Sequence, residues 1–256
     1  LAMLGMPRLW WMRLAVITLG WLWFFPALNH WSNTLWFQQI QDLPTGSRTL
    51  LTAYSPYQKV DVIEDTAGNR YLFLNSMEHF GSPAGIWLNI IMGRVPAILL
   101  QPENAVAFGG GAMQLEAMIA DYADHVTTVE IDPIVVDASR RLFTAYNAID
   151  TLENRSIVID DARHFIANTD EQYDLIVSAL PAAFTIQTGA LYSVPFIEDA
   201  RAQLTPDGVF VMNLTGQFTP DNPIPKRIAA SLLATFDDVM IVTSNTIGLS
   251  FAYASD

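Results

Sequence analysis

The chain has 256 residues, of which 51% are hydrophobic and only 15% charged. Its 13 Lys and Arg face 26 Asp and Glu, a formal net charge of −13, so it lacks the basic footprint that a nucleic-acid partner would need. There is no cysteine, which excludes disulfides, thiolate metal sites and Cys nucleophiles, and the mean hydropathy of +0.26 is high for a wholly soluble protein.

The apolar excess concentrates in Leu9 to Leu28, LWWMRLAVITLGWLWFFPAL. A run of about 20 such residues crosses a hydrocarbon core as a helix. Its single charge, Arg13, lies near the start, where it can snorkel to the interface. Trp10 and Trp11 at one end and Trp21 to Trp31 at the other read as interfacial anchors. A cleaved signal peptide is the competing reading, and the lack of a small-residue cleavage pattern after the run favours an anchor. Arg8 and Arg13 precede the span and the next Lys or Arg is Arg48. The positive-inside rule then puts the N-terminus in the cytoplasm and the large domain on the periplasmic side of a single-pass membrane protein. Residues 1–28 are expected to be the anchor, in contact with membrane lipid, and 29–44 a polar-aromatic connector.

Two β-rich runs come next, Gln58 to Glu64 and Arg70 to Asn75, and the Gly68-Asn69 turn between them signals a hairpin in a small β-rich region, 45–86. From Ala105 short apolar runs alternate with helical patterns. Strands are predicted at Ala105–Phe108, Val126–Glu130, Ser156–Ile159, Tyr173–Ser178, Val209–Asn213, Val239–Thr243 and Gly248–Ala254, with helices at Ala112–Tyr122, Pro133–Phe143, Val194–Leu204 and Pro225–Phe236. This alternation predicts an α/β fold for 87–256, a Rossmann-like, doubly wound seven-strand sheet of methyltransferase type closed by an antiparallel hairpin.

Three features fall at successive strand ends. Gly109, Gly110 and Gly111 come directly after the first parallel strand and open a helix, letting backbone approach a ligand at a helix N-terminus. The second strand ends in Glu130-Ile131-Asp132, where an acid can meet the two hydroxyls of a ribose. The third ends in Asp160-Asp161-Ala162, where a carboxylate can accept from an adenine amino group. Together they predict a nucleoside site at the switch edge of the sheet. His30, His79, His125 and His164 show no metal-ligand spacing, and no nucleophile-elbow pattern surrounds Ser178.

From about residue 50 onward the chain resembles the spermidine synthase (polyamine aminopropyltransferase) family, in a membrane-anchored bacterial form. The resemblance rests on Ser55–Gln58, Leu72–Asn75, Gly109–Gly111, Val129–Pro133, Asp161–Arg163, Tyr173–Ile176, Leu191–Tyr192 and Leu204–Val209. It implies that Gln58, Glu130 and Asp161, with Gly109–Gly111, Asp132 and Ala162 around them, contact the nucleoside of S-adenosylmethionine, its decarboxylated form or methylthioadenosine. It also exposes departures. The family's GGGDGG motif reads GGGAMQ here, so its aspartate is Ala112. The aspartate that takes a proton from the attacking amine is Ala179, and the Tyr-Gln/His pair falls at Leu88-Asn89. The family's late Tyr-Pro segment has no match in Thr243–Gly248.

A protonated amine is no nucleophile, and losing a general base lowers a rate by about 10²–10⁴-fold. These departures make a polyamine partner doubtful. They lead to the expectation of a catalytically inactive accessory subunit of a bacterial membrane complex, photosynthetic or respiratory, bound to other membrane-protein subunits. The alternative is a transferase, aminopropyl or methyl, that works from the retained nucleoside pocket.

Overall fold

A computed structural model describes residues 8–81, 83–149, 151–183 and 185–256. The first element, α1 (Arg8–Ile40), is a single 33-residue helix that carries Pro26 inside it. From Trp10 it is long and apolar enough to cross a membrane, and none of its most apolar window is buried in the protein. The helix does not stop at Leu28. It runs through most of the expected connector, and its last turns dock on a small β-sheet.

That docking explains how the sheet is buried. Strands β1 (Arg48–Tyr54), β2 (Lys59–Glu64), β3 (Arg70–Leu74) and β4 (Met77–Phe80) form an antiparallel meander in chain order. The β2–β3 turn is built by Asp65, whose Oδ1 accepts from the amides of Ala67 and Asn69, each at 2.8 Å. Along β2, Val60 and Val62 pack with Val135, Ala138 and Phe143, while Ile63 packs with Phe37 and Phe73. Both faces are therefore covered, one by the foot of α1 and the other by a helix of the larger sheet. A polar network ties the same foot down: Lys59 Nζ donates to Asn33 Oδ1 at 2.9 Å and pairs with buried Asp61 at 2.9 Å. The sequence pattern marked only β2 and β3. The four residues of β4 are too few to show a period, and β1 mixes its polar and apolar residues without strict alternation.

Next, α2 (Pro83–Asn89) passes through a π-helical turn (Ile90–Arg94) into α3 (Val95–Leu100). At the π turn, Tyr253 Oη donates to the carbonyl of Ile91 at 2.6 Å. The remaining elements alternate: β5 (Asn104–Phe108), α4 (Gln114–Ala120), β6 (His125–Glu130), α5 (Pro133–Leu142), α6 (Thr144–Asn147), β7 (Arg155–Ile159), α7 (Ala162–Asn168), β8 (Tyr173–Ser178), α8 (Ile186–Ala190), α9 (Val194–Ala202), β9 (Leu204–Asn213), α10 (Pro223–Leu233), β10 (Asp238–Ser244) and β11 (Leu249–Ser255). The sheet order is β10-β11-β9-β8-β5-β6-β7, with β11 antiparallel to both neighbours and the β5, β6, β7, β8 and β9 pairings parallel. Central strands β5, β6 and β8 are buried along nearly their whole length, as expected where helices cover both faces. This is the α/β fold with a mostly parallel seven-strand sheet, a small antiparallel β region and an N-terminal apolar helix. Strand order reverses between β5 and β8, so the connections that leave their carboxyl ends turn to opposite faces of the sheet and leave a crevice.

Candidate active site

A cavity of about 510 Å³ opens at that crevice, within the size range of small-molecule sites. The β5–α4 loop forms its floor. Gly109 takes φ +83°, and a Cβ there would come within 3.0 Å of the Ala179 carbonyl, so only glycine lets β5 and β8 end so close together. The loop's carbonyls are tied back into the protein. Ser139 Oγ donates to Gly111 O at 2.7 Å, Asn147 Nδ2 to Ala112 O at 2.9 Å, and Arg155 Nη2 to Met113 O at 3.3 Å. Of the loop amides, Gly109 donates to Val129 O at 3.0 Å and Met113 to Gly110 O at 2.6 Å, while those of Gly110 and Gly111 stabilise the carboxylate of Glu130.

Glu130 is 6% exposed and lines the cavity. Desolvation raises its pKa to about 7, against the pull of the Asp132 amide, which donates to Oε1 at 2.9 Å. Beneath the loop sits a second buried acid, Glu116, 1% exposed. Burial raises its pKa to about 7 as well, offset in part by the charge of Arg155. A Cβ on Gly110 would lie 3.2 Å from Glu116 Oε1, so the acid packs directly under the loop.

Of the residues singled out in the sequence, Gln58, Gly109, Gly111, Glu130, Asp161 and Ala162 meet on the wall of this cavity. Gly110 lines an adjoining cavity instead. Asp132 is a correction: it is fully buried and off the cavity wall. Its Oδ1 caps α5 by accepting from the Ile134 amide at 2.9 Å. Its Oδ2 accepts from Ser55 Oγ at 2.7 Å and Gln58 Nε2 at 3.2 Å, clamping the β1–β2 turn to the larger sheet. Asp161 caps α7 through the Arg163 amide and pairs with the Arg163 guanidinium at 2.9 Å, which holds its carboxyl below the usual range. Asp160 pairs with His164 Nδ1 at 2.7 Å.

Several residues that shape the site carry no linear signal. Glu116, Asn147 and Arg155 are spread over about 40 residues of chain and meet only under the glycine loop. Tyr192 Oη donates to the carbonyls of Leu180 and Pro181, each at 3.1 Å, and so fixes the loop after β8. The adjoining cavity, of about 370 Å³, shares Gly109, Gly111 and Ala179–Ala182 with the first and extends toward Phe80, Leu88 and Leu249. Ala112 and Ala179 both line it. Among the described residues no cluster of three or more His, Cys, Asp or Glu is placed to hold a metal ion.

Residues 89–246 match the spermine/spermidine synthase domain. The chain is 24% identical over 221 residues to a polyamine aminopropyltransferase of Thermoplasma acidophilum, covering 84% of this chain and 80% of that protein. It is 26% identical over 185 residues to one of Streptococcus uberis, covering 69% and 65%. Spermidine synthase from Thermotoga maritima shares the fold, with a TM-score of 0.71 at 18% identity over 81% of this chain and 72% of that one. A probable spermidine synthase from Corynebacterium glutamicum gives a TM-score of 0.65 at 20% identity, covering 80% of each chain. These relatives overturn the expectation of an inactive accessory subunit, which rested on absent side chains alone: the proteins similar in sequence are named as enzymes, and those that share the fold as synthases. With the domain matched from the helical segment ahead of β5 through β10, more than half of the chain, this chain belongs to the spermine/spermidine synthase family.

Proposed function

We propose that the chain is an aminopropyltransferase that uses decarboxylated S-adenosylmethionine as donor and an amine as acceptor. The observation that carries this reading is the pairing of Glu130 with the Gly109–Gly111 loop on one cavity wall. Two ribose hydroxyls donating to Glu130 would favour its ionised form, which burial otherwise holds near its titration point. The amides of Gly110 and Gly111 would hold that ionised carboxylate in place against the ribose. Asp161 would meet the adenine amino group, and Gln58, held by Asp132, would close the cavity from the β side. The donor supplies a carbon activated by its sulfonium, and the protein's part is to align an amine with it and exclude water.

Methyl transfer is the second reading. Ala112 and Ala179 stand where the family resemblance leads one to expect carboxylates, and in-line methyl transfer relies largely on positioning. The products separate the two: methylthioadenosine for aminopropyl transfer, S-adenosylhomocysteine for methyl transfer.

Placement is tied to the same chemistry. We infer that α1 anchors the protein in lipid and that the domain lies on the side where the donor is made, the cytoplasmic one. This goes against the periplasmic expectation drawn from Arg8 and Arg13, and the relatives and the cavity support it only through the enzyme reading.

The first test is thermal unfolding of the full chain in detergent with decarboxylated S-adenosylmethionine, S-adenosylmethionine and methylthioadenosine. A ligand at 100 times its Kd stabilises the folded state by about 2.7 kcal/mol, so the melting temperature should rise clearly. Glu130→Ala should abolish the rise. No shift with any of the three nucleosides would remove the basis of the proposal.

A further inference from the structure

We propose that the acceptor is a primary monoamine with an apolar body, rather than a di- or tri-cationic polyamine, and that it occupies the second cavity with His79 receiving its proton. The inference rests on aminopropyl transfer as the reaction and narrows its acceptor.

The cavity's lining argues for this acceptor. Its volume of about 370 Å³ is walled on the apolar side by Met77, Phe80, Leu88, Leu115 and Leu249. Its polar side chains His79, Asn89, Gln114 and Asn213 are neutral amides and an imidazole, and Asn89 Nδ2 already donates to Gln114 Oε1 at 3.0 Å. Glu78 is the single acid among the described lining residues. Each ammonium taken out of water needs a carboxylate or several good acceptors, so a lining with a single acid cannot match two or three charges. A polyamine could not borrow the acids of the neighbouring cavity. Glu130 and Asp161 would face the donor's ribose and adenine, and Asp160 is paired with His164. Where the resemblance leads one to expect carboxylates, Ala112 and Ala179 add methyl groups to the apolar wall.

The transfer still needs somewhere for a proton to go. His79 lines both cavities, so it sits where donor and acceptor would meet. Among the described residues its ring takes part in no hydrogen bond, and desolvation lowers its pKa to about 4, so the ring is neutral and serves as a relay that hands the proton on to solvent rather than holding it. In the step, the acceptor ammonium first gives up a proton to His79 and on to solvent, and the freed lone pair of its nitrogen forms the new N–C bond to the aminopropyl carbon. The C–S bond breaks with its electron pair returning to sulfur, leaving a neutral thioether, methylthioadenosine. The product nitrogen keeps its two protons and leaves as a secondary ammonium.

The experiment measures methylthioadenosine release by the full chain in detergent, with decarboxylated S-adenosylmethionine and hexylamine, putrescine or spermidine. We expect kcat/KM for hexylamine to exceed that for putrescine at least about tenfold. Ala179→Asp should move the preference toward putrescine, and His79→Gln should lower kcat by about 10²-fold or more with hexylamine. Putrescine or spermidine preferred by the native chain would overturn this inference and leave the transfer reading intact. Donor binding without release to any amine would overturn both. Unchanged kcat in His79→Gln, in a variant that melts like the native chain, would remove His79 from the step.

Discussion

Glu116 and Glu130 give the site an unusual electrostatic base for a protein with so many surface acids. Both carboxyls are raised from an ordinary value of 4.5 to about 7, chiefly by desolvation, and the charge of Glu130 adds to the shift at Glu116. For an acid whose pKa is higher in the folded chain, folding binds protons between the two values. The stability this confers is present below about pH 4.5 and is lost as pH rises through about 7. Glu116→Gln cannot ionise. Relative to the native chain it should gain on the order of 1–3 kcal/mol between pH 5 and pH 8. Denaturant midpoints at the two pH values check this, and identical pH profiles for variant and native chain would contradict a buried ionisation at Glu116. The same residues show what a linear reading captures. Gln58, the glycines, Glu130 and Asp161 sit at strand ends or turns, where sequence position alone tells which way a residue faces. Asp132 sits at such an end too, but just beyond the strand it becomes the helix cap, and its second oxygen is claimed by a turn 77 residues away. Glu116 was not legible at all, because a buried acid on an apolar helix face has no meaning until Arg155 and the loop close over it.

Among the elements, α1 divides into two parts that the sequence presents as one apolar stretch and one polar stretch. Its first part is exposed along its length, Trp23 for instance at 88%, whereas Phe37 is fully buried with Leu43, Ile63 and Phe73. Phe37 also packs at 4.6 Å from Phe73, ring centre to ring centre, and lies under the Lys59 ammonium at 5.7 Å. The foot of the helix therefore belongs to the β region's core. Phe37→Ala should destabilise the domain by about 3–5 kcal/mol, read from urea unfolding of the detergent-solubilised chain. A change below about 1 kcal/mol would show that the foot is only draped on the sheet. The parallel strands were legible because each is a short, nearly continuous apolar run bounded by turn residues. The foot was not, since a polar-aromatic segment gives no period until its partners on β1 to β3 are known. The π turn was equally hidden: its register depends on Tyr253, at the far end of the chain.

For the molecule as a whole, the same division of α1 makes its proposed role as an anchor separable from its role in folding. Removing residues 1–28 takes away exposed apolar helix and leaves Asn33, Thr34, Phe37 and Gln38 bound to the sheet, through bonds such as Gln38 Nε2 to Ser47 O at 3.0 Å. That truncation should release the protein from membranes with its melting temperature preserved to within a few degrees. Removal of residues 1–44 also deletes Phe37 and Leu43 and should cost several kcal/mol, enough to unfold a marginal domain. If both truncations melt alike, the foot contributes nothing. If the shorter one stays with the membrane after salt washing, α1 is not the anchor, because its attachment through apolar burial, unlike surface ion pairing, would resist salt. Placement of the domain can be read from the same preparations. A cytoplasmic enzyme should be cut by added protease only in inside-out vesicles, whereas the two arginines ahead of the span argue for cleavage in right-side-out ones. Cleavage in inside-out vesicles alone would mean that the donor reaches Glu130 without crossing lipid. Cleavage in right-side-out vesicles alone would separate the site from a cytoplasmic donor, and with that the proposed transfer would lose its substrate.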